Sequence, residues 1–235
     1  MPSRWDSVKV NGEAMRCYVS VPEGTGPFPA VVVIQHAGGV DEFVRRMSDR
    51  FAEARFLAVA PDLYHREAPN TSDDPLTRMG RLRDVTVVAD VDAAISHAKS
   101  LPEAQSDSVG ITGYCMGGRV TYLMAATNAD LKAAVVCWGG NIMAPWGDGP
   151  APFALSKNID CPVLGLFGED DPNPNPADVA KLDAELTQLG KAHEFHSYPG
   201  AGHAFMNEGR PSYRAEAADD AWKKTVAWFD KHLRV

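Results

Sequence analysis

The residues best suited to covalent chemistry lie in one short stretch near the middle of the chain. A β-branched run over 109–112 leads into Gly113-Tyr114-Cys115-Met116-Gly117, and a helix-compatible run follows over 119–126. A nucleophile elbow has this strand–turn–helix order, with the central residue of G-x-S-x-G exposed on a strained turn. The stretch therefore predicts Cys115 as a nucleophile. The alternative is a buried structural cysteine in an ordinary turn between strand and helix.

Two further glycine-rich loops carry an acid and a histidine, each just past a predicted strand. Gly168-Glu169-Asp170-Asp171-Pro172 follows a strand predicted over 162–167. Pro199-Gly200-Ala201-Gly202-His203 follows a strand predicted over 193–198. Because sites in open α/β sheets form at the carboxyl ends of strands, we expect both loops to lie beside the cysteine.

The order of these groups along the chain is nucleophile, acid, histidine, which is the order of α/β-hydrolases and differs from those of chymotrypsin and subtilisin. It predicts a catalytic triad of Cys115, an acid of the 169–171 loop and His203. Asp171 is preferred as the acid because its position, three residues after Gly168 and directly before Pro172, resembles that of the acid in hydrolases of this kind. Asp170 and Glu169 are rivals on the same loop, and Asp171 could instead cap the helix that follows. His203 could instead be a core histidine, although glycines on its loop favour a presented side chain.

The predicted triad implies a mechanism for cleaving an ester or lactone. A thiol of ordinary pKa is mostly protonated at neutral pH, so His203, oriented by Asp171, is expected to take the proton of Cys115. Attack on the carbonyl carbon gives a tetrahedral oxyanion, for which the backbone N–H groups of Met116 and Ala37 are the expected donors. Collapse leaves a thioester, which water activated by the histidine then hydrolyses.

The rest of the chain supplies the elements that must position these loops. Eight strands are predicted. They lie over 7–10, 15–21, 30–35, 56–60, 109–112, 133–138, 162–167 and 193–198. Helices are predicted over 41–54, 76–99, 119–126, 176–189 and 213–233, with loops at 61–75 and 141–155 that could border the site. Strands that alternate with helices indicate a mostly parallel sheet with helices on both faces. Since no repeat or linker interrupts the pattern, residues 1–235 are expected to form a single α/β domain.

Composition and charge exclude several classes of partner. The 235 residues carry a formal net charge of −8, and the sequence pI is near 5.3. An acidic chain is a poor partner for nucleic acid or an anionic membrane, because both need a basic surface. A small-molecule substrate is therefore expected, with neither nucleic acid nor membrane as a partner, and the chain as a monomer or small homo-oligomer.

Cysteine usage and the N-terminal residues indicate a reducing compartment. Cys17, Cys115, Cys137 and Cys161 are widely spaced and form no C-x-x-C pair, which favours free thiols over disulfides or a zinc site. The first residues lack the apolar run of a signal peptide, and no apolar run reaches the length of a membrane span. We expect a cytoplasmic protein.

Several of these pieces together resemble the dienelactone hydrolase (carboxymethylenebutenolidase) family of the α/β-hydrolase superfamily. The matching pieces are Gly113-Tyr114-Cys115-Met116-Gly117-Gly118-Arg119, Gly139-Gly140, Gly168-Glu169-Asp170-Asp171-Pro172, Tyr198-Pro199-Gly200-Ala201-Gly202-His203-Ala204-Phe205 and the tryptophan-containing last helix. The resemblance runs from about residue 8 to the C-terminus. It implies an α/β-hydrolase fold with no large lid, a Cys-Asp-His triad at Cys115, Asp171 and His203, and no need for a metal or cofactor.

The chain departs from the family pattern at two places. His36 stands where dienelactone hydrolases have a glutamate that helps to activate the cysteine. His36 either tunes Cys115 or lines the pocket and shapes the oxyanion loop. The family arginine just after the catalytic histidine is also missing. Arg78, Arg81 and Arg83 are the candidates for a second carboxylate-binding arginine, whereas Arg119 is expected to be structural. The predicted pocket residues are His36, Tyr64, Arg81, Trp138 and Phe205.

The missing arginine favours a small neutral or weakly charged ester or lactone over dienelactone itself. Within the enzyme class, the alternatives are a true carboxymethylenebutenolidase and a broad carboxylesterase or thioesterase. A different class is a non-catalytic protein of the same fold that binds a small ligand. A redox role for Cys115 is a further alternative, weakened because no resolving cysteine lies nearby in sequence.

Overall fold

An eight-stranded sheet runs through the structure, a computed structural model that describes residues 2–68 and 71–234. The strands are β1 (Ser3–Val10), β2 (Glu13–Ser20), β3 (Phe28–Ile34), β4 (Leu57–Pro61), β5 (Ala104–Tyr114), β6 (Leu131–Cys137), β7 (Val163–Gly168) and β8 (His193–Tyr198). They lie side by side in the order β1-β2-β4-β3-β5-β6-β7-β8. Only the pairs β1–β2 and β2–β4 are antiparallel. The predicted mostly parallel sheet of eight strands is confirmed.

Helices cover both faces of the sheet. They are α1 (Glu42–Glu53), α2 (Pro75–Gly80), α3 (Asp84–Ser100), α4 (Met116–Thr127), α5 (Pro176–Gln188) and α6 (Ala215–Leu233), with a 3₁₀ helix over Pro152–Asn158. Apolar side chains of α1 and α6 pack on one face, and those of α3, α4 and α5 pack on the other. Because both faces are covered, β3, β4 and β7 are buried at every residue. In the described ranges, 2–68 and 71–234, no helix has the combined length and apolar character needed to cross a bilayer.

One predicted helix, over 76–99, is two helices in the structure. The chain leaves the helical path after Gly80, and α3 begins only at Asp84. The Asp84 carboxylate accepts two hydrogen bonds from the guanidinium of the fully buried Arg119, and a third from the backbone N–H of Trp146. A buried arginine needs a paired carboxylate, so this long-range ion pair fixes where α3 begins. The burial of Arg119 and its pairing with Asp84 agree with the structural role expected for it.

The parallel strands end level with one another at one edge of the sheet. In the pairing of β5 with β6, Tyr114 lies opposite Cys137, and in that of β7 with β8, Gly168 lies opposite Tyr198. The residues that follow these ends are Cys115, the 169–172 loop and the 199–203 loop. The register thus brings all three predicted catalytic loops to the same edge.

Candidate active site

Cys115 lies on a sharp turn between β5 and α4. Its backbone has φ 58° and ψ −119°, an unusual conformation for a residue with a side chain. A Cβ at Gly113 would collide with the carbonyl oxygen of Gly117, and one at Gly117 would lie 2.5 Å from the carbonyl oxygen of Ile34. Glycine is therefore required on both sides of the turn, which explains the G-x-C-x-G spacing.

His203 and Asp171 form a close pair beside this turn. Their Nδ1 and Oδ2 atoms are 2.8 Å apart, and the Asp171 carboxylate is buried. Asp171 also accepts a hydrogen bond of 2.8 Å from the backbone N–H of Asn173. The rivals Glu169 and Asp170 are exposed on the same loop. Of the three acids, the structure brings Asp171 to the histidine.

The charge state of His203 depends on this pair and on Cys115. Burial opposes protonation of the ring, but hydrogen bonds with Asp171 and Cys115, together with their negative charges, outweigh burial and raise the pKa of His203 to about 10. An imidazolium next to a cysteine favours the thiolate, which is the nucleophilic form.

The other three cysteines have a different environment. Cys17, Cys137 and Cys161 are buried, and burial raises the pKa of the first two to about 12 and that of Cys161 to about 11. These thiols stay protonated at physiological pH, which agrees with the packing role expected for them.

Two cavities meet at Cys115 and His203. One has a volume of about 240 Å³ and lies towards Met116, Asn141 and Asn173. The other, of about 650 Å³, lies towards the segment after β3 that includes Ala37, and towards Trp138 and Arg210. Met116 is the first residue of α4, so its N–H has no acceptor within that helix. The two backbone groups expected to bind an oxyanion thus belong to residues that border the cavities at the cysteine.

Backbone strain is concentrated around these cavities. Within residues 2–68 and 71–234, six residues other than glycine have positive φ, and four of them line one of the two cavities: Cys115, Trp138, Asn141 and Ala204. Such conformations cost of order 1–3 kcal/mol each and persist where the surrounding structure enforces them, commonly at functional sites. Their clustering singles out this edge of the sheet.

Comparison with known proteins agrees with this geometry. The family model described as "Dienelactone hydrolase family" matches residues 15–233. The chain belongs to the dienelactone hydrolase family. It is therefore a dienelactone hydrolase-like hydrolase with the α/β-hydrolase fold of that family.

Relatives of the chain extend over nearly its whole length. A Methylorubrum extorquens protein described as "Putative carboxymethylenebutenolidase" is 36% identical over 225 residues, which cover 92% of this chain and 76% of the relative. A Bradyrhizobium protein described as "Probable 2-oxo-3-(5-oxofuran-2-ylidene)propanoate lactonase" is 30% identical, covering 97% and 94%. A crystal structure from Klebsiella pneumoniae, titled as that of a "Putative Dienelactone Hydrolase", has a TM-score of 0.92 at 34% identity and covers 98% of this chain and 99% of that one.

His36, the residue that departs from the dienelactone hydrolase pattern, lines the large cavity. Its Nε2 lies 2.8 Å from the Asp41 carboxylate, and its Nδ1 accepts a hydrogen bond from the backbone N–H of Gly38. Both ring nitrogens are therefore engaged within the 36–41 segment. Of the two roles considered for His36, this geometry favours shaping the oxyanion loop over direct action on Cys115.

Tyr64 is hydrogen-bonded to the same loop. Its hydroxyl donates a 3.0 Å hydrogen bond to the carbonyl oxygen of Ala37 and contacts the sulfur of Met116 at 3.5 Å. The side chain is buried and borders neither cavity. Tyr64 thus links the residues of the two expected oxyanion donors. It was predicted to form a pocket wall, and it does not.

Of the three remaining predicted pocket residues, one borders a cavity at Cys115 and two do not. Trp138 borders the large cavity, as expected. Phe205 is fully buried behind it, with ring centroids 5.1 Å apart, and reaches neither cavity. Arg81 pairs with Asp73 and Glu67, also outside the cavities. The aromatic cluster therefore keeps Phe205 away from the site, and the two ion pairs keep Arg81 away from it.

Sequence reasoning missed several cavity residues, among them Leu76, Phe43, Asn207 and Arg210. A usable signal existed for Leu76, because Asp74-Pro75 is a strong helix start and places an apolar residue on the first turn of α2. Arg210 lies seven residues after His203, on a loop without periodicity, and only the folded chain brings it to the cavity.

Proposed function

We propose that the chain is a cysteine-dependent hydrolase of small carboxylic esters or lactones. One observation carries this proposal: Cys115, on a strained elbow, borders the same two cavities as His203, which in turn pairs with the buried Asp171. This is the arrangement of an activated nucleophile, its base and the group that orients the base. Two cavities open on the sulfur and leave space for a substrate.

The reaction follows in two steps from this geometry. The Cys115 thiolate attacks the carbonyl carbon, and the oxyanion formed accepts hydrogen bonds from the backbone N–H groups of Met116 and Ala37. The C–O bond to the alcohol then breaks, and the His203 imidazolium gives its proton to the leaving oxygen. Neutral His203 next takes a proton from water, hydroxide attacks the thioester, and the acid leaves as the thiolate is restored. Asp171 holds the imidazole in the orientation that both transfers need.

The placement of the three arginines considered in the sequence analysis favours a neutral or weakly charged substrate. Arg78 pairs with Glu67, Arg81 pairs with Asp73 and Glu67, and Arg83 donates to the carbonyl oxygens of Gly80 and Leu82. None of the three borders the cavities at Cys115. The large cavity is bordered mainly by apolar groups, including Trp138, Phe43 and Leu76.

The second candidate is a carboxylate-bearing lactone, as a true carboxymethylenebutenolidase would hydrolyse. Arg210 favours it, because this exposed residue borders the large cavity. Among residues 2–68 and 71–234, no acidic side chain forms an ion pair with Arg210, so its charge is free to attract an anionic group.

The decisive experiment compares a dienelactone with an uncharged short-chain aryl ester, using wild type, Cys115→Ala and Arg210→Gln. We expect Cys115→Ala to lower kcat by about 10⁴-fold or more on every substrate that wild type turns over, as removal of a triad nucleophile does. Cys161→Ala is the matched control, because Cys161 lies before β7 at the opposite edge of the sheet, and it should retain wild-type rates.

The outcomes separate the candidates. Turnover of the neutral ester alone supports the leading proposal, whereas preference for the dienelactone, lost in Arg210→Gln, supports the second candidate. Activity unchanged by Cys115→Ala refutes the mechanism. Tight binding of a small ligand without turnover of either substrate indicates the non-catalytic alternative.

We also propose that the chain works as one domain in a reducing compartment. All four cysteines are free thiols in the structure. One sheet with helices on both faces, and the two apolar clusters between them in residues 2–68 and 71–234, support a single domain.

A further inference from the structure

Leu76 lies where the two cavities at the active site meet. The 240 Å³ cavity and the 650 Å³ cavity share three lining residues, Leu76, Cys115 and His203. Two of these are the proposed reacting pair. The third is a leucine on the short surface helix α2, which carries no buried residue.

The exposure of Leu76 is unusual for a large apolar side chain. It is 67% exposed, and within the described part of the chain only Trp5 and Val85 are other exposed large hydrophobic residues. Neither of those borders a cavity at Cys115. An apolar group kept in water beside a nucleophile gains contacts when an apolar part of a substrate covers it.

The backbone position of Leu76 does not depend on its own side chain. The Asp74 carboxylate caps α2 by accepting hydrogen bonds from the N–H groups of Leu76 and Thr77, at 3.0 and 3.1 Å. Farther along, Arg78 pairs with Glu67 at 2.5 Å and stacks over the Tyr64 ring at 4.0 Å. Polar contacts thus hold the helix over the site, and the leucine can be replaced without removing them.

We propose that Leu76 sets the size selectivity of the enzyme by dividing the substrate space into a small and a large compartment. The inference rests on the proposed function. An ester carbonyl carbon bonded to the Cys115 sulfur carries an acyl group and a leaving group that must diverge. The two compartments both open on that sulfur and, apart from Leu76, Cys115 and His203, have different lining residues. Their unequal volumes accept one small and one bulky group. An ester bulky on both sides meets the Leu76 side chain.

The test uses three uncharged esters: one bulky only in the acyl group, one bulky only in the alcohol group, and one bulky in both. Dividing the kcat/KM of each variant by that of wild type removes differences in intrinsic reactivity. In Leu76→Ala, this ratio for the doubly bulky ester should be about tenfold above the ratio for whichever singly bulky ester wild type hydrolyses. A few methylene groups produce an effect of this size in a pocket.

Matched variants keep the result interpretable. Val85→Ala removes a similarly exposed apolar side chain that borders neither cavity, so it should leave all three ratios near one. Leu76→Met preserves the volume and should keep wild-type selectivity. Leu76→Trp fills more of the shared space and should lower the ratio for the doubly bulky ester, which supplies the test if the alanine variant does not fold.

Each outcome decides the inference. Ratios that change by the same factor for all three esters in both Leu76→Ala and Leu76→Trp overturn it and leave the proposed function standing. Turnover of these esters that persists in Cys115→Ala, or no turnover by wild type, overturns both. Selective change for the doubly bulky ester supports it.

Discussion

The protein contains two histidine–carboxylate pairs that look alike and have different surroundings. His203 Nδ1 lies 2.8 Å from the buried carboxylate of Asp171, and the His203 side chain is 36% exposed. His65 Nε2 lies 3.2 Å from the equally buried carboxylate of Asp90, and the His65 side chain is 2% exposed. The first pair borders the cavities at Cys115, whereas the second is enclosed between the 62–68 loop and α3.

The partners of the two carboxylates explain the difference. Asp90 accepts two hydrogen bonds, of 2.6 and 2.7 Å, from the Arg66 guanidinium, so its charge is already balanced. Asp171 pairs with no arginine or lysine among the described residues, and its charge acts on His203. A histidine–aspartate pair is therefore a candidate for catalysis only when the carboxylate charge acts on the imidazole and the ring also lies beside a nucleophile.

The largest effect that tests this comparison is expected for Asp171→Asn. The amide removes the charge that orients and stabilises the His203 imidazolium, so kcat on the neutral ester should fall by about 10⁴-fold. Steady-state kinetics measures this directly. A decrease of less than tenfold would mean that the His203–Asp171 pair is structural, like its counterpart.

The same substitution at the other pair, Asp90→Asn, should change stability instead. It leaves the buried His65 without its carboxylate and Arg66 with Glu13 alone, and breaking such a largely buried pair costs about 3 kcal/mol of unfolding free energy. Denaturant unfolding measures the loss, and kcat should stay within about threefold of wild type well below the unfolding transition. A folded Asp90→Asn variant that has lost its activity would contradict the distinction between the pairs.

The smallest expected effect is a shift in the titration of His203. Removal of the sulfur in Cys115→Ala takes away one hydrogen bond and one negative charge, while burial still opposes protonation, so the pKa of His203 should fall below its value of about 10. NMR titration of the imidazole in wild type and in Cys115→Ala measures the change. The two proteins differ only at residue 115, on the elbow.

The raised pKa of His203 in wild type also affects how stability depends on pH. Because the folded-state pKa of His203 is raised above its ordinary 6.5, the protonated ring stabilises the fold fully below pH 6.5 and progressively less as pH rises through about 10. In Cys115→Ala the loss should occur at lower pH. An unchanged titration would show that the sulfur does not act on the imidazole.

The parts of the site that could be predicted are those encoded by local backbone requirements. The elbow at Cys115 needs glycine at two fixed positions, and the acid and histidine loops follow recognisable buried strands. The pairing of His203 with Asp171 also follows from strand order, since parallel strands end at one edge.

The incorrect or missing predictions concern contacts between distant parts of the chain. The helix predicted over 76–99 is interrupted because Asp84 pairs with Arg119, 35 residues away. Phe205 was expected in the pocket but packs between Trp138 and Tyr198, since an aromatic residue in a loop can face either way.

By itself, the sequence determined the family, the mostly parallel sheet and the three residues proposed as the triad, because each depends on spacing within a few residues or on hydrophobic patterning. Only the tertiary structure decided which side chains border the substrate. Leu76 and Arg210 reach the cavities, while Tyr64 and Arg81 do not. The physical reason is that a cavity is the space left by elements packed from distant parts of the chain, and no local pattern specifies its walls.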